Sequence, residues 1–488
     1  MLERVKDIFA RVETGEGVWT DPLSAPYNVV AFDPELTEEH EEIARQTAGS
    51  SLSRRKTVVG RSTASVNFTM DLRGSGNVLG VPVEPEWGPI LQACGMRMET
   101  LGMILVENWA APLAHKAVIG NHGSSPTATG IAVGNYATAA GHTIILYIPT
   151  LGTFANSDPV YKTTDEWSTS TKVADVTSAG ATALGGWHYV PETKIRYQVA
   201  TSAAGWTTGA TTEVGETVKG TKGGSPDAYG VILAGSGLAT GSAQTLYIEP
   251  IIGTFVDAMV VTGQTNGDTA TLAADAAPKD NWTLSVAEVL DGMAIKVRGC
   301  RGNAKIVLSA GQPSQIQFEL KGMSEGEIDM VSLTGGTKDP GAPLRFHLAE
   351  FSVDGIPFRT EALEIDLGNA VNIRTDANEE EGGVSHIVAD RDAKGTMTPE
   401  MVPPGTYSWR DRIKESTLVA ISTYLGVGLA GIGLTGHDLG SNVWIEIPSA
   451  QVLTRPLESR EGILVGNIGF ALRTETIQGE DELEIYVV

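Results

Sequence analysis

Few residues in this sequence combine the types and the spacing that chemistry requires. Its eight histidines are scattered, and none stands at metal-ligand spacing from another. EEHEE (Glu38–Glu42) gathers carboxylates around His40, but the run reads as a solvated helix face. DANEEEGG (Asp376–Gly383) stacks carboxylates that could hold a divalent cation; an exposed acidic loop is the simpler reading. GSGNVLG (Gly74–Gly80) has a superficial likeness to a dinucleotide-binding loop, yet no clear βαβ unit surrounds it, and it reads as a turn. Cys94 and Cys300 read as small buried thiols, not as a disulfide framework. There is no HExxH, paired CxxC, P-loop or nucleophile elbow. Catalysis needs convergent groups with perturbed proton affinities. The expectation is a non-enzymatic protein with no catalytic, cofactor-binding or metal-binding residue.

The elements behind these residues are short and extended. With 57 glycines and 19% charged residues, the 488-residue chain is rich in turns, which favours an all-β class with short helices. The length suits two to four domains, and 41% hydrophobic residues give each of them a core. The formal charge of −24 argues against tight binding to nucleic-acid phosphates; Arg54-Arg55-Lys56 is the main basic cluster. No apolar run approaches the roughly 18–20 residues of a membrane span. MLERVKDIFARVETG is acidic and lacks an apolar stretch, so it is not read as a signal peptide, and synthesis and assembly in a cytoplasm are expected. Leu2, Val5, Ile8, Phe9 and Val12 share a helical face, predicting an amphipathic helix or arm within residues 1–20.

VVGRSTASVNFTMDLRGSG (Val58–Gly76) alternates Ser65, Asn67, Thr69 and Asp71 with Val66, Phe68 and Met70. IVADRDAKGTMTPEM (Ile387–Met401) sets Lys394, Thr396, Thr398 and Glu400 against Met397 and Met401. Both predict a strand with one wet and one buried face. A tryptophan and a short helix follow each, in EPEWGPILQACG (Glu84–Gly95) and PGTYSWRDRIKES (Pro404–Ser416), with Gly95 ending the first. QIQFELKG (Gln315–Gly322) and NIGFALRT (Asn467–Thr474) then repeat an alternating strand. One β domain is therefore written twice, in residues 21–111 with 286–335 and in residues 345–488, joined by a linker at 336–344. A tighter repeat lies inside the first copy. SPTATG (Ser125–Gly130) returns as SPDAYG (Ser225–Gly230), and LYI at 146–148 returns at 246–248, both at an offset of 100; GTF at 152–154 returns one residue later in register. Residues 112–211 and 212–285 are thus expected to be two inserted β modules.

The order of DLRGSG, PEWGPILQACGM, the Gly/Thr-rich modules, VRGCRGNAKIVLSAGQPSQIQFELKG, DLGNAVNIRTDANEEEGG, SREG and the terminal GEDELEIYVV resembles the major tail tube proteins of long-tailed bacteriophages. The resemblance covers more than half of the chain. It implies duplicated β-sandwich or small-barrel domains whose rings stack into a tube for the genome. Two fused tube domains imply three-chain rings of pseudo-sixfold symmetry, six-chain rings being the alternative. The partners would be further copies of this chain and other tail proteins, in the virion, with DNA passing through without specific binding. On this reading Ser65, Asn67, Thr69, Asp71, Thr396, Thr398 and Glu400 line the lumen, with Gln315, Gln317 and Glu319 as weaker candidates. The competing expectations are a tail terminator or distal adaptor, a host-glycan binder using Tyr136, Tyr147, Tyr161, Trp167, Trp187, Tyr229 and Tyr247, and a glycan-degrading enzyme, for which the sequence gives no paired carboxylates.

Overall fold

The structure is a computed structural model, described for residues 6–14, 16–23, 28–29, 31–43, 58–74, 84–107, 117–120, 129–137, 143–151, 154, 157–163, 171–191, 196–201, 217–223, 228–232, 245–252, 255–263, 269–273, 277–280, 283–290, 293–329, 343–347, 349–379, 382–426, 442–460, 462–474 and 482–487. It is all-β, with 68% strand and two short helices. The linker expected at 336–344, the GSGNVLG turn and the Arg54–Lys56 cluster lie wholly or mostly outside the described residues.

The first part contains β1 (Asp7–Val12), β2 (Asn28–Val29), β3 (Ala31–Ile43), β4 (Val58–Asp71), α1 (Gly88–Ala93) and β5 (Met96–Glu107). Next come β6 (Ala117–Gly120), β7 (Thr129–Ala137), β8 (Thr143–Leu151), β9 (Pro159–Thr163) and β10 (Thr171–Pro191). They are followed by β11 (Arg196–Thr201), β12 (Thr217–Thr221), β13 (Ala228–Ile232), β14 (Thr245–Ile252), β15 (Val260–Gly263), β16 (Thr269–Thr271) and β17 (Ala277–Asp280). Then come β18 (Leu284–Leu290), β19 (Met293–Ser309) and β20 (Gln315–Asp329). The last part holds β21 (Ser352–Val353), β22 (Ile356–Pro357), β23 (Thr360–Asp366), β24 (Asn369–Thr375), β25 (Gly383–Arg391), β26 (Lys394–Pro399), α2 (Trp409–Glu415), β27 (Leu418–Leu425), β28 (Val443–Thr454), β29 (Leu457–Arg460), β30 (Ile463–Gly466), β31 (Ile468–Leu472) and β32 (Glu484–Val487).

Two sequence expectations fail locally. The helix expected over Leu2–Glu13 is β1, which pairs with β18 (Ile8↔Glu288, Val12↔Leu284), while residues 1–5 lie outside the described set. Ile8, Phe9 and Ala10 are consecutive and all buried, so both faces of the strand are covered, and a run of this kind has no periodicity to separate it from a helix stripe. Likewise EEHEE belongs to β3, not to a helix; His40 Nδ1 lies 2.9 Å from Ser62 Oγ on the neighbouring β4.

Strands of the first part pair in the order β2-β1-β18-β19-β20-β4-β3. Strands of the last part pair in the order β22-β21-β27-β28-β31-β26-β23. The two orders join through β19 and β23, with Ile306 opposite Ile365 and Leu308 opposite Leu363. Eight strands, β3-β4-β20-β19-β23-β26-β31-β28, therefore form one continuous antiparallel run. Across seven of them runs a single buried row: Met70, Ile316, Ile306, Ile365, Gly395, Phe470 and Val452. The helices cover the same core with Trp87 and Trp409, each 1% exposed. Trp87 Nε1 donates to Arg73 O at 2.9 Å, and Ser408 caps α2 by accepting from Asp411 N. Gly95, at φ +77°, ends α1 as expected.

The N-terminal segment ties both parts together. The buried Glu13 carboxylate accepts from Gly299 N and Gly17 N, both at 2.7 Å, and from Ser285 Oγ at 2.9 Å. Next to it, Glu16 accepts from Arg374 at 2.8 Å, on the β24–β25 hairpin of the last part.

The inserted strands fall into two sets with the same pairing order. In the first, β9-β6-β7-β8-β5 is flanked on both sides by β10, which pairs with β9 and with β5. In the second, β15-β12-β13-β14-β11 is flanked by β16 and β17. One long strand thus does in the first set what two short ones do in the second. Gly130 faces Pro149 and Gly230 faces Pro250, each beside a bulge, so β8 and β14 correspond at an offset of 101, not 100. Burial agrees: Ile145 and Tyr147 match Leu246 and Ile248, and the LYI match is one residue out of step. Since a slip of one residue turns a strand's faces over, that match sets inward residues against outward ones.

The strand pairings also cross the junctions expected at 112 and 211, whereas β18 resumes the first part at Leu284, beside the expected 285. Gly186–Pro191 of β10 pair with Met96–Leu101, and Trp187–Tyr189 pair with the C-terminal β32, whereas β11 joins the second set. A strand of 21 residues is long enough to leave one core and enter another, which composition does not register.

Gly395 occupies the one glycine place in the buried row. A Cβ there would lie 2.3 Å from Phe470 Cζ and 2.6 Å from Glu364 O. Gly395→Ala is expected to destabilise the protein by roughly 1–3 kcal/mol, read from the urea midpoint; an unchanged midpoint would show that the row tolerates added volume.

Candidate functional site: the polar face of the eight-strand run

The residues opposite the buried row form the candidate site, because strand side chains alternate. One cross-strand row reads Thr69, Gln317, Lys305, Asp366, Lys394, Ala471 and Gln451. The next reads Asp71, Gln315, Val307, Glu364, Thr396, Gly469 and Thr454. Glu35, Asn67, Glu319 and Asn303 make a third.

Of the residues singled out by sequence, Asn67 and Thr396 are exposed and Ser65, Thr69, Thr398 and Glu400 half-buried. Thr398 Oγ1 donates to Ala362 O at 3.4 Å, and Glu400 lies 3.5 Å from Arg359. Asp71 is a correction: it is 8% exposed, with Arg73 Nη2 at 3.4 Å. Directly after it Leu72 N donates to Ser314 O and Leu72 O accepts from Leu344 N, so the end of β4 is covered. Gln315, Gln317 and Glu319 lie on β20, directly beside β4, so they share the polar face with Ser65, Asn67 and Thr69.

Sequence reasoning passed over Asn303, Lys305, Glu364 and Asp366. Lys305 and Glu364 sit 2.8 Å apart across the β19–β23 joint, and Asn303 Nδ2 donates to Asp366 Oδ1 at 2.7 Å. The signal was present, since AKIVLS (Ala304–Ser309) and EALEID (Glu361–Asp366) both alternate, but neither lies in a repeated motif. Lys394 pairs with Asp392, and that hydrogen bond holds the Asp392 carboxyl below its usual range. Lys305, Lys321 and Lys394 offset part of the charge of Glu35, Asp71, Glu319, Glu364 and Asp366, so this face is mildly acidic.

The groups with strongly displaced proton affinities lie elsewhere. Burial raises the Glu84 carboxyl to about 7, against the opposing effect of a hydrogen bond from Gln92 at 2.9 Å. The absence of a side chain at Gly88 leaves room for Glu84 and the Tyr189 hydroxyl to approach; a Cβ there would lie 2.3 Å from Tyr189 Oη. His188, stacked on Tyr486 at 4.5 Å, lies 3.7 Å from Glu484, all deeply buried. Burial raises both Cys94 and Cys300 thiols, which are free, as the sequence suggested. Among the described residues no group of three His, Cys, Asp or Glu could hold a metal ion. In the acidic loop, Glu379 faces Arg298 at 3.7 Å and Asp376 accepts from Asn378, while residues 380–381 lie outside the described set. Of the candidate sugar-stacking aromatics, Tyr147 and Trp187 are buried. Trp167 lies outside the described residues. Among the described residues, no helix is long and apolar enough to cross a membrane. No protein-family model matches the chain, and no curated protein matches it.

The raised Glu84 pKa has a measurable consequence. Its neutral form is favoured in the folded protein, so the associated stability is complete below pH 4.5 and is lost as pH rises through about 7. Glu84→Gln is expected to match the parent at pH 4.5 and to be more stable at pH 8 by up to about 3 kcal/mol, measured by urea unfolding at both values.

Proposed function

We propose that this chain is a structural, non-enzymatic virion protein whose rings stack into the tail tube of a long-tailed bacteriophage, the conduit for its genome. The observation that carries the reading is the eight-strand run, whose buried apolar row continues from the first part of the chain into the last and whose opposite face is mostly polar. The identical strand orders of the two parts support a duplicated tube domain, each supplying four strands to the wall.

Three such chains give a wall of about 24 strands; at ~4.8 Å spacing and ~40° tilt its backbone diameter is about 50 Å. Side chains leave a bore of roughly 35–40 Å, wide enough for a DNA duplex. A mildly acidic polar face neither binds the phosphates nor releases their counterions, so DNA slides past it. On this reading the ring holds three chains with pseudo-sixfold symmetry, and the inserted strand sets are decorations outside the wall.

Negative-stain microscopy of the purified protein should reveal rings or tubes with this bore; a monomer under all conditions would overturn the proposal. Changing the exposed Asn67, Gln317 and Thr396 together to Lys should leave tubes intact and slow genome ejection several-fold, because phosphates pair with each added cation. Unchanged ejection from particles carrying the triple variant would remove these residues from the bore.

A further inference from the structure

We infer that the edge of β3 left open among the described residues in one copy of this chain adds to the likewise open edge of residues 452–458 in a second copy, head to tail, repeating between chains the joint that β19 and β23 make within one. This rests on the tube reading and adds to it which edges meet and in what register.

The internal joint supplies the template. Ile316 and Phe318 of β20 lie opposite Met70 and Phe68; Ile468 and Phe470 of β31 lie opposite Met397 and Gly395. This register makes β4 equivalent to β26, and β3, which pairs with β4, equivalent to β23. Ala304 faces Phe318 as Val452 faces Phe470, so the strand leading out of β28 is equivalent to the end of β19. Asn467 N donates to Pro456 O, matching the pairing of Gln315 with Val307. Within the chain, Val307 faces Glu364 and Leu308 faces Leu363. Between chains, the same geometry sets Pro456 opposite Phe32 and Leu457 opposite Ala31.

Three features of the open edges fit this partner. Phe32 is 42% exposed on one edge, and Leu453 and Leu457 are 44% and 47% exposed on the other, whereas Ile306, Leu308, Leu363 and Ile365 at the internal joint are at most 2% exposed. Large apolar side chains left in water at both ends of one sheet mark a contact surface. The two edges differ in charge: β3 exposes Glu35, Glu39, Glu41 and Glu42 and no cation, while the opposite edge and the adjoining helix α2 mix Arg455, Arg410 and Lys414 with Glu458, Asp411 and Glu415, so the cations can pair with β3. Finally, each edge contains a proline: Pro34 beside Asp33 at φ 47°, and Pro456. Prolines and bulges deny an indiscriminate strand a regular ladder, so they restrict the contact to a short segment with a matching irregularity. Two different edges meeting by rotation close a ring.

The test uses the full chain. Phe32→Cys combined with Pro456→Cys should yield oxidised species of two and three chains on a non-reducing gel, and each single variant should remain one chain, since Cys94 and Cys300 are buried. Rings seen by microscopy without any cross-linked species would overturn the edge assignment while leaving the tube. A protein that is monomeric by sedimentation and by microscopy would overturn both. Charge reversal gives an independent readout should the cysteine variant misfold. Glu39→Arg with Glu42→Arg should reduce ring yield at least tenfold, and adding Arg410→Glu with Arg455→Glu should restore it. Undiminished assembly of the first pair, or no restoration by the second, would also overturn the assignment.

Discussion

The rest of this structure depends on one apolar row, Met70–Ile316–Ile306–Ile365–Gly395–Phe470–Val452, which crosses from the first part of the chain to the last without a break. Each member is buried, and strand alternation then forces the neighbouring residues to the opposite face. Burial of side chains of this size stabilises by about 1.5–3 kcal/mol each, far more than an exposed ion pair, for which 0–1 kcal/mol is usual. The hydrophobic row therefore sets the register, and the polar face is its consequence.

That consequence explains how the charged groups of the polar face are arranged. They are spread along the rows and meet partners on neighbouring strands, as Lys305 meets Glu364 and Asn303 meets Asp366. The displaced proton affinities of Glu84, Cys94 and Tyr189 arise mainly from burial on the other side of the sheet. The long β10 connects the same core to the inserted strands, since its last residues pair with β5 and β32 while its first pair with β9.

By itself the sequence determined the all-β class, the two short helices behind Trp87 and Trp409, the half-wet strands β4 and β26, and the free state of both cysteines. Those features are local: period-two alternation, a cap such as Ser408, a left-handed glycine such as Gly95, and the count of thiols all act within a few residues. Tertiary structure alone decided the remainder. Ile8–Ala10 became a strand because β18 and the core cover both of its faces, and the acidic β3 is held extended by β4. Asp71 is buried where β4 ends although its register keeps it on the polar face, and the inserted sets correspond at 100 along β7 but at 101 along β8, a difference that only the strand pairing displays. The joining of β19 to β23, which makes two sheets into one, unites residues about sixty positions apart. Such contacts depend on which buried faces find each other, and local periodicity carries no record of that choice.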